Sequence, residues 1–213
     1  MKISVQLIIL SCFLLQAQKE ERKLMWSDEF DQPTLNSDNW TVELGNGCPN
    51  LCGWGNNERQ IYTNTNHLIQ DGNLVIQARF QDGQYTSTRI TTKDKVEYAY
   101  GHFEVRAKLP IGQGIWPAFW MLGSNISEVH WPLCGEIDVL EYVGKEPGEI
   151  LTSLHTKASH GETINTKKTK FPAIEEGFHV YAADWGKDRI EFFVDGKSVY
   201  TFEPNNKTQE KWP

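Results

Sequence analysis

Alternation of apolar and polar residues is the feature that most limits the folds open to this chain. Between residues 102 and 109 every second residue is apolar: Phe103, Val105, Ala107 and Leu109. A period of two places these side chains on one face of a β-strand and the polar ones on the other. The same pattern predicts strands over residues 74–80, 178–185 and 189–194, and the Asp195-Gly196 pair that follows predicts a hairpin turn.

Short strands of this kind dominate the chain. The strand over residues 74–80 is predicted to place four side chains on one face: Leu74, Ile76, Ala78 and Phe80. Long helical periodicity and internal repeats are absent from the sequence. Many short strands predict an all-β sandwich or jelly roll, and 213 residues give room for one such domain with a substantial core.

The charge balance narrows the class of partner. The net charge is −7 at pH 7 and no basic patch stands out, which argues against nucleic acid as a partner. Eight tryptophans contribute to an aromatic content of 12%. An acidic, aromatic-rich chain can bind a neutral polysaccharide without electrostatic conflict, since sugar rings stack their C–H faces on aromatic rings.

Residues 1–17 have the features of a secretory signal peptide. Lys2 is followed by an apolar stretch over residues 3–15, which is too short to span a bilayer, and Ala17 offers a cleavage position. We therefore expect a mature chain of residues 18–213 that is secreted, periplasmic or on the cell surface, without a transmembrane segment. A lipoprotein anchored through Cys12 is the alternative, although the apolar run continues past that cysteine.

Three cysteines remain after removal of such a signal. Cys48 and Cys52 could close a small loop by a disulfide, which export permits, and Cys134 would then be left over. A zinc site is a weaker alternative because no well-spaced histidine completes the ligand set. A cysteine nucleophile at Cys134 is a third alternative, but no activating histidine pattern accompanies it.

Three carboxylates interrupt an apolar run over residues 135–142. On a strand, Glu136 and Asp138 share a face, and Glu141 is out of phase by one residue. A one-residue β-bulge between Asp138 and Glu141 would bring all three to one face. Two carboxylic acids on either side of one bond are the arrangement that glycoside hydrolysis needs. The alternative is a solvated strand face with one charge out of register.

Neighbouring aromatic residues favour the catalytic interpretation. The same stretch of chain contains Trp116, Phe119, Trp120, Trp131 and Tyr142. Carboxylates together with tryptophans indicate a carbohydrate site.

Five ordered motifs carry a family resemblance over nearly the whole mature chain, from Trp26 to Pro213. They are Gly53-Trp54-Gly55-Asn56-Asn57-Glu58, Tyr85-Thr86-Ser87-Thr88-Arg89-Ile90, Tyr100-Gly101-His102-Phe103-Glu104, the run over residues 114–123 (GIWPAFWMLG) and the run over residues 131–141 (WPLCGEIDVLE). The chain resembles glycoside hydrolase family 16, and within it the laminarinase-like endo-β-1,3-glucanases. The bulged spacing of the three carboxylates is typical of that branch.

This resemblance implies a fold and three catalytic roles. The fold is a jelly-roll β-sandwich of two curved antiparallel sheets, of the concanavalin A-like lectin/glucanase type, with the sugar chain on the concave sheet. Residues 18–213 would form the catalytic domain. Glu136 would be the nucleophile, Glu141 the general acid/base, and Asp138 a hydrogen-bonding partner that sets protonation.

Other matched positions imply contacts to substrate. Trp116 and Trp120 would stack on sugars, Asn57 and Arg89 would hydrogen-bond hydroxyl groups, and His155 would lie near the carboxylates. Each has a structural alternative: core packing for the tryptophans, a loop-stabilising amide for Asn57, a surface ion pair for Arg89 and a satisfied strand histidine for His155.

No cofactor is required for this chemistry. Glu29 and Gly72 match positions near a structural calcium in some relatives, although an exposed turn is the alternative because a full ligand set is not visible. We expect a monomer that acts on a polysaccharide.

The sequence leaves further functions open. A galactan is an alternative substrate for a family 16 enzyme, a non-catalytic β-glucan-binding jelly roll is an alternative function, and transglycosylation is an alternative outcome. Relatives continue past the Trp-Pro at 212–213 into further strands. We therefore expect the jelly roll to be truncated at its C-terminus, which would leave ladder groups unpaired and weaken the domain.

Overall fold

The computed structural model describes residues 22–213. The predicted signal peptide over residues 1–17, with Cys12, lies outside the described residues. Among residues 22–213, no helix combines the length and the apolar character that crossing a bilayer requires.

Within this part of the chain, strands make up nearly all the regular structure. They are β1 (Thr41–Glu43), β2 (Ile61–Tyr62), β3 (His67–Gln70), β4 (Asn73–Ile76), β5 (Arg79–Gln81), β6 (Gln84–Ser87), β7 (Arg89–Thr91), β8 (Gly101–Ala107), β9 (Ala118–Leu122), β10 (Glu136–Glu141), β11 (Glu149–His155), β12 (Thr166–Lys170), β13 (His179–Trp185), β14 (Ile190–Val194) and β15 (Lys197–Phe202). One short helix, α1 (Ile126–Val129), and two 3₁₀ turns, Cys52–Gly55 and Pro172–Glu175, lie between them.

Two four-stranded antiparallel sheets form the sandwich. One has the order β12-β11-β10-β9 and is called here the catalytic sheet, because β10 carries the three carboxylates. The other has the order β15-β14-β13-β8 and is called the supporting sheet. The expected all-β jelly-roll sandwich is confirmed.

The core fills the space between these sheets. The catalytic sheet contributes Ile137, Leu140, Ile150 and Leu154, and the supporting sheet contributes Tyr181, Ala183, Ile190, Phe192 and Val194. Each fully buried large aliphatic or aromatic side chain stabilises the fold by roughly 1.5–3 kcal/mol relative to exposure. The alternation predicted for residues 102–109 is confirmed, since Phe103, Val105 and Ala107 are the less exposed residues of β8.

The supporting sheet also contains the predicted hairpin. Asp195 and Gly196 join β14 to β15, with φ angles of 47° and 73°. Positive φ at both central residues is the geometry that favours an Asp-Gly pair in a two-residue turn.

The single strand predicted over residues 74–80 is wrong. The chain forms two strands, because β4 pairs with β3 and β5 pairs with β6. Between them, the Gln77 N–H donates to the backbone oxygen of Asn66, and the Asn66 side chain donates to the Gln77 oxygen. Ile76 and Phe80 are exposed, although the alternation predicts a shared buried face for them. The alternation does not indicate which strand, or which neighbouring layer, each half of the segment packs against.

Candidate active site

A β-bulge sets the phase of the three carboxylates on β10. The register against β11 shifts between Asp138 and Glu141, and the register against β9 shifts between Asp138 and Leu140. Val139 and Leu140 are both buried in the core, so the extra residue is accommodated on the inner side. Glu141 is thereby returned to the side of the sheet that carries Asp138, as the spacing predicts.

Glu136 lies at the start of β10 against two aromatic side chains. The indole N–H of Trp131 donates to Glu136 Oε2 over 2.6 Å. His155 is the cross-strand partner of Glu136 on β11, and the Trp131 and His155 rings lie 6.1 Å apart. A donor fixed by the loop before the strand therefore holds one oxygen of this carboxylate.

Asp138 is the buried member of the set. Its side chain is 4% exposed, and His155 Nε2 lies 3.1 Å from Asp138 Oδ2, without the alignment of a hydrogen bond. Burial raises the pKa of Asp138 well above its usual range, and the nearby Glu141 carboxylate adds to this effect.

Glu136 and Asp138 both have raised pKa values. Burial, followed by the charge of Asp138, raises the pKa of Glu136 to about 8, although His155 and Trp131 oppose the shift. Two adjacent carboxyl groups with raised pKa values favour the state in which one of them keeps its proton. When the proton lies on the more deeply buried Asp138, Glu136 is ionised and remains available to react.

Glu141 has a separate set of partners. The indole N–H of Trp116 donates to Glu141 Oε1 over 3.1 Å, and the Ser153 hydroxyl donates to Oε2 over 3.1 Å. Ser153 also lies 3.0 Å from the Thr166 hydroxyl on β12. Trp116 is about half exposed, and its N–H orients the carboxyl group.

Arg89 and Trp120 contact one another next to the carboxylate strand β10. Trp120 is the register partner of Asp138 on β9. The Arg89 guanidinium lies 4.8 Å from the Trp120 ring and 4.4 Å from the Trp54 ring, and it forms an ion pair with Glu43. The ion pair anticipated as an alternative for Arg89 is therefore present, and it holds the guanidinium next to the carboxylate strand.

Asn57 lies in the loop that carries Trp54. Its side chain is exposed and its φ is 58°. A disulfide between Cys48 and Cys52 closes the neighbouring turn, and Cys134 is a free, buried thiol, which agrees with the disulfide interpretation of the cysteine spacing. The role of Asn57 in binding sugar stays a prediction.

The calcium positions lie in the N-terminal segment and a turn. Glu29 lines a groove of about 360 Å³, and Gly72 occupies the turn between β3 and β4. Asp28 in that groove already accepts hydrogen bonds from the Phe30 N–H and the Trp40 indole. A calcium ion at Glu29 and Gly72 stays a prediction.

Another group could hold a metal ion in principle. In the described part of the chain, donor atoms of Glu136, Asp138 and His155 lie within 4.8 Å of one another. A cation there would compete with protons for Glu136 and Asp138.

Sequence reasoning assigned no role to Trp131 or Ser153. Trp131 was visible as an aromatic residue five positions before Glu136, but its contact depends on the intervening loop. Ser153 follows from strand pairing, since it lies opposite Asp138 on β11. The His155 position was correctly anticipated beside the carboxylates.

A β-sandwich with three clustered carboxylates on one strand, and with exposed tryptophans that donate to two of them, defines the class of glycoside hydrolases that use paired acids. The family model for glycosyl hydrolases family 16 matches residues 55–213. The chain belongs to glycosyl hydrolases family 16.

Individual proteins agree with this assignment. The solved structure of a laminarinase from Flavobacterium sp. UMI-01 is 63% identical, covers 89% of this chain and 82% of its own, and superimposes with a TM-score of 0.88. A beta-glucanase from Rhodothermus marinus is 36% identical over 94% of this chain and 73% of its own length. A glucan endo-1,3-beta-glucosidase A1 from Niallia circulans is 38% identical over 89% of this chain, which spans 30% of that longer protein.

Proposed function

We propose that this chain is an exported endo-acting glycoside hydrolase that cleaves β-1,3-glucan, laminarin-like or mixed-linked, with retention of configuration. The observation that carries the proposal is the bulge in β10, which sets Glu136, Asp138 and Glu141 on one side of the catalytic sheet. The family membership and the similarity to laminarinases support the substrate class.

The first chemical step needs an ionised nucleophile and a protonated acid. Glu136 attacks the anomeric carbon and forms a glycosyl ester while the bond to the leaving-group oxygen breaks. Glu141 donates its proton to that oxygen. In this proposal a proton on Asp138 lets Glu136 carry its charge, because two adjacent buried carboxylates would repel.

In the second step Glu141 acts as a general base instead of a general acid. Glu141, now ionised, removes a proton from water, and the water oxygen attacks the same anomeric carbon. The ester bond breaks, Glu136 regains its carboxylate, and two inversions give net retention. Trp116 and Ser153 each donate to Glu141, so they hold its oxygens in place when it is ionised.

Substrate class is tested by measuring reducing sugar from laminarin, lichenan, agarose and carrageenan. We expect release from laminarin, with or without lichenan. Release from a galactan but from neither glucan would contradict the glucan proposal and leave the hydrolase mechanism standing.

Turnover distinguishes a hydrolase from a glucan-binding protein and from a transglycosylase. Retardation in a laminarin affinity gel with no product after long incubation would favour a non-catalytic glucan-binding jelly roll. Products longer than the substrate, at high oligosaccharide concentration, would show transglycosylation, in which an acceptor sugar replaces water at the same ester.

Two further properties are proposed and need separate measurements. Size-exclusion chromatography with light scattering should give the mass of a monomer. A structural calcium would be shown by a fall in melting temperature on adding a chelator that is reversed by Ca²⁺.

A further inference from the structure

A hairpin on a smaller sheet exposes two aromatic rings side by side. Phe80 on β5 and Tyr85 on β6 are cross-strand partners, and their ring centroids lie 4.5 Å apart. Phe80 is 62% exposed and Tyr85 is 48% exposed. Neither belongs to the core between the two large sheets, so core packing does not explain this pair, called here the aromatic platform.

The platform shares a face with residues that lead toward the active site. β6 pairs in parallel with β2, and Tyr62 is in register with Ser87. Because side chains alternate along a strand, Tyr85 lies on the same face as Ser87 and therefore as Tyr62. The Tyr62 ring in turn lies 5.7 Å from the ring of Trp54.

The path continues from Trp54 to the catalytic strand. The Arg89 guanidinium lies over Trp54 on one side and near Trp120 on the other, at 4.4 and 4.8 Å from the ring centroids. Trp120 is in register with Asp138. These contacts therefore link the face that carries the aromatic platform to the strand that carries the carboxylates.

The length of this path suits a polymer rather than a single sugar. Tyr85 and Arg89 are four residues apart, which is roughly 13 Å at about 3.3 Å per residue of extended chain. Ser87 lies between them in the chain, with Tyr62 as its cross-strand partner. A ligand that contacts both the platform and the carboxylates must therefore be several sugar units long.

We propose that Phe80 and Tyr85 form a distal binding site for a β-glucan chain whose scissile bond lies at the carboxylates. Exposed aromatic rings stack on the C–H faces of glucosyl units, and the contacts through Tyr62, Trp54 and Arg89 link the face of the platform to the catalytic site. This site rests on the proposed glucanase function, and it makes the enzyme prefer long chains.

Phe80→Ala, Tyr85→Ala and the double variant test the platform. kcat/KM is measured for laminarin and for laminaritetraose, and the ratio of the two values is compared with that of the unmodified protein. Each single substitution should lower the ratio about two- to tenfold, mainly through a higher KM for laminarin. Phe80→Trp, which keeps an exposed ring, should restore the ratio.

Phe178→Ala is the matched control. Phe178 is another exposed aromatic residue, 41% accessible. It immediately precedes β13 of the supporting sheet, and its ring packs on Arg106 of β8. Its removal should not change the ratio. Melting temperatures of all variants separate a binding effect from a loss of folded protein.

Binding is measured independently of turnover by affinity electrophoresis in gels that contain laminarin. If the unmodified protein cleaves neither substrate, the glucanase proposal fails, and retardation that Phe80→Ala and Tyr85→Ala weaken would still support the platform. If the ratio and the retardation of both variants equal those of the unmodified protein, the platform proposal is overturned whatever the activity.

Discussion

The two large sheets have the same number of strands but treat polar groups in opposite ways. The strands of the catalytic sheet bury Asp138, Thr152 and Ser153, whereas every buried residue in the strands of the supporting sheet is hydrophobic. Carboxylates of the supporting sheet, such as Asp184, lie at the surface, where Asp184 pairs with Arg22 and His102. Burying an unpaired charge is costly, so the catalytic sheet gives up stability where the supporting sheet does not.

This difference indicates which carboxylates should affect activity and pH dependence when they are substituted. An exposed ion pair contributes about 0–1 kcal/mol and its loss is tolerated. A buried carboxyl group with a raised pKa affects both chemistry and pH dependence. Substitutions made in pairs, one on each sheet, test this distinction.

The largest contrast is expected for the proposed nucleophile. Glu136→Gln removes the attacking oxygen charge and should lower kcat on laminarin roughly 10⁴-fold or more. Glu104→Gln, on the exposed face of β8, should leave kcat unchanged because its ion pair with His102 is at the surface. An equal loss of kcat in the two variants would contradict the proposed difference between carboxylates of the two sheets.

The proposed acid should give a smaller, substrate-dependent loss. Glu141→Gln should lower kcat on laminarin about 10²- to 10⁴-fold, and less on aryl glucosides whose leaving groups need little protonation. Glu191→Gln on β14, paired with Arg189, is the control.

Azide then assigns the two roles. It should rescue Glu136→Ala with inversion and Glu141→Ala with retention, as read by proton NMR of early product. An inverted product from the unmodified protein would show that Glu136 is not a nucleophile.

The raised pKa values of Glu136 and Asp138 predict a pH dependence of stability. A carboxyl group whose pKa is raised on folding keeps its proton in the folded state after the unfolded chain has lost it. The free energy of unfolding should therefore fall as pH rises from about 4 toward 8, by at most about 1.4 kcal/mol per pH unit for one proton.

Asp138→Asn removes one of the two acids and should flatten this decline. Denaturant midpoints measured between pH 4.5 and 8 test the prediction. Parallel curves for the variant and the unmodified protein would mean that Glu136 and Asp138 do not hold the extra proton.

The smallest effect is expected on the supporting sheet and has the opposite sign. Burial raises the pKa of Asp195, but hydrogen bonds from the Val180 N–H and His179 outweigh it and lower the pKa overall. This stabilisation is present above about pH 4 and is lost as pH falls. Asp195→Asn should lower the melting temperature slightly at pH 7 and not at all near pH 2. A larger loss in acid than at neutral pH would contradict this.

Sequence reasoning succeeded where local pattern determines structure. The phase error at Glu141 predicted the bulge because a strand has a fixed period and a buried face. The hairpin at Asp195-Gly196 follows from local backbone preference. The family motifs identified the chain class for the same reason, since they are contiguous segments.

Sequence reasoning failed for contacts that depend on which distant segment of the chain packs against a strand. The alternating run that contains Ile76 and Phe80 divides between two strand partners, and no local signal marks the change. An ion pair was anticipated for Arg89, but its partner Glu43 was not, and neither was the hydrogen bond from Ser153 to Glu141. Such contacts require the sheet topology, which local alternation does not contain.

The alkylation rate of Cys134 can report local opening of the strand that carries the proposed nucleophile. It is buried two residues before Glu136, and burial raises the pKa of its thiol. Within residues 22–213 it is the one cysteine outside a disulfide. Because alkylating reagents need an exposed thiolate, the rate of alkylation at this position reports how often the start of β10 opens. A bound oligosaccharide that stabilises the closed strand would slow that rate, so ligand occupancy could be read without any turnover.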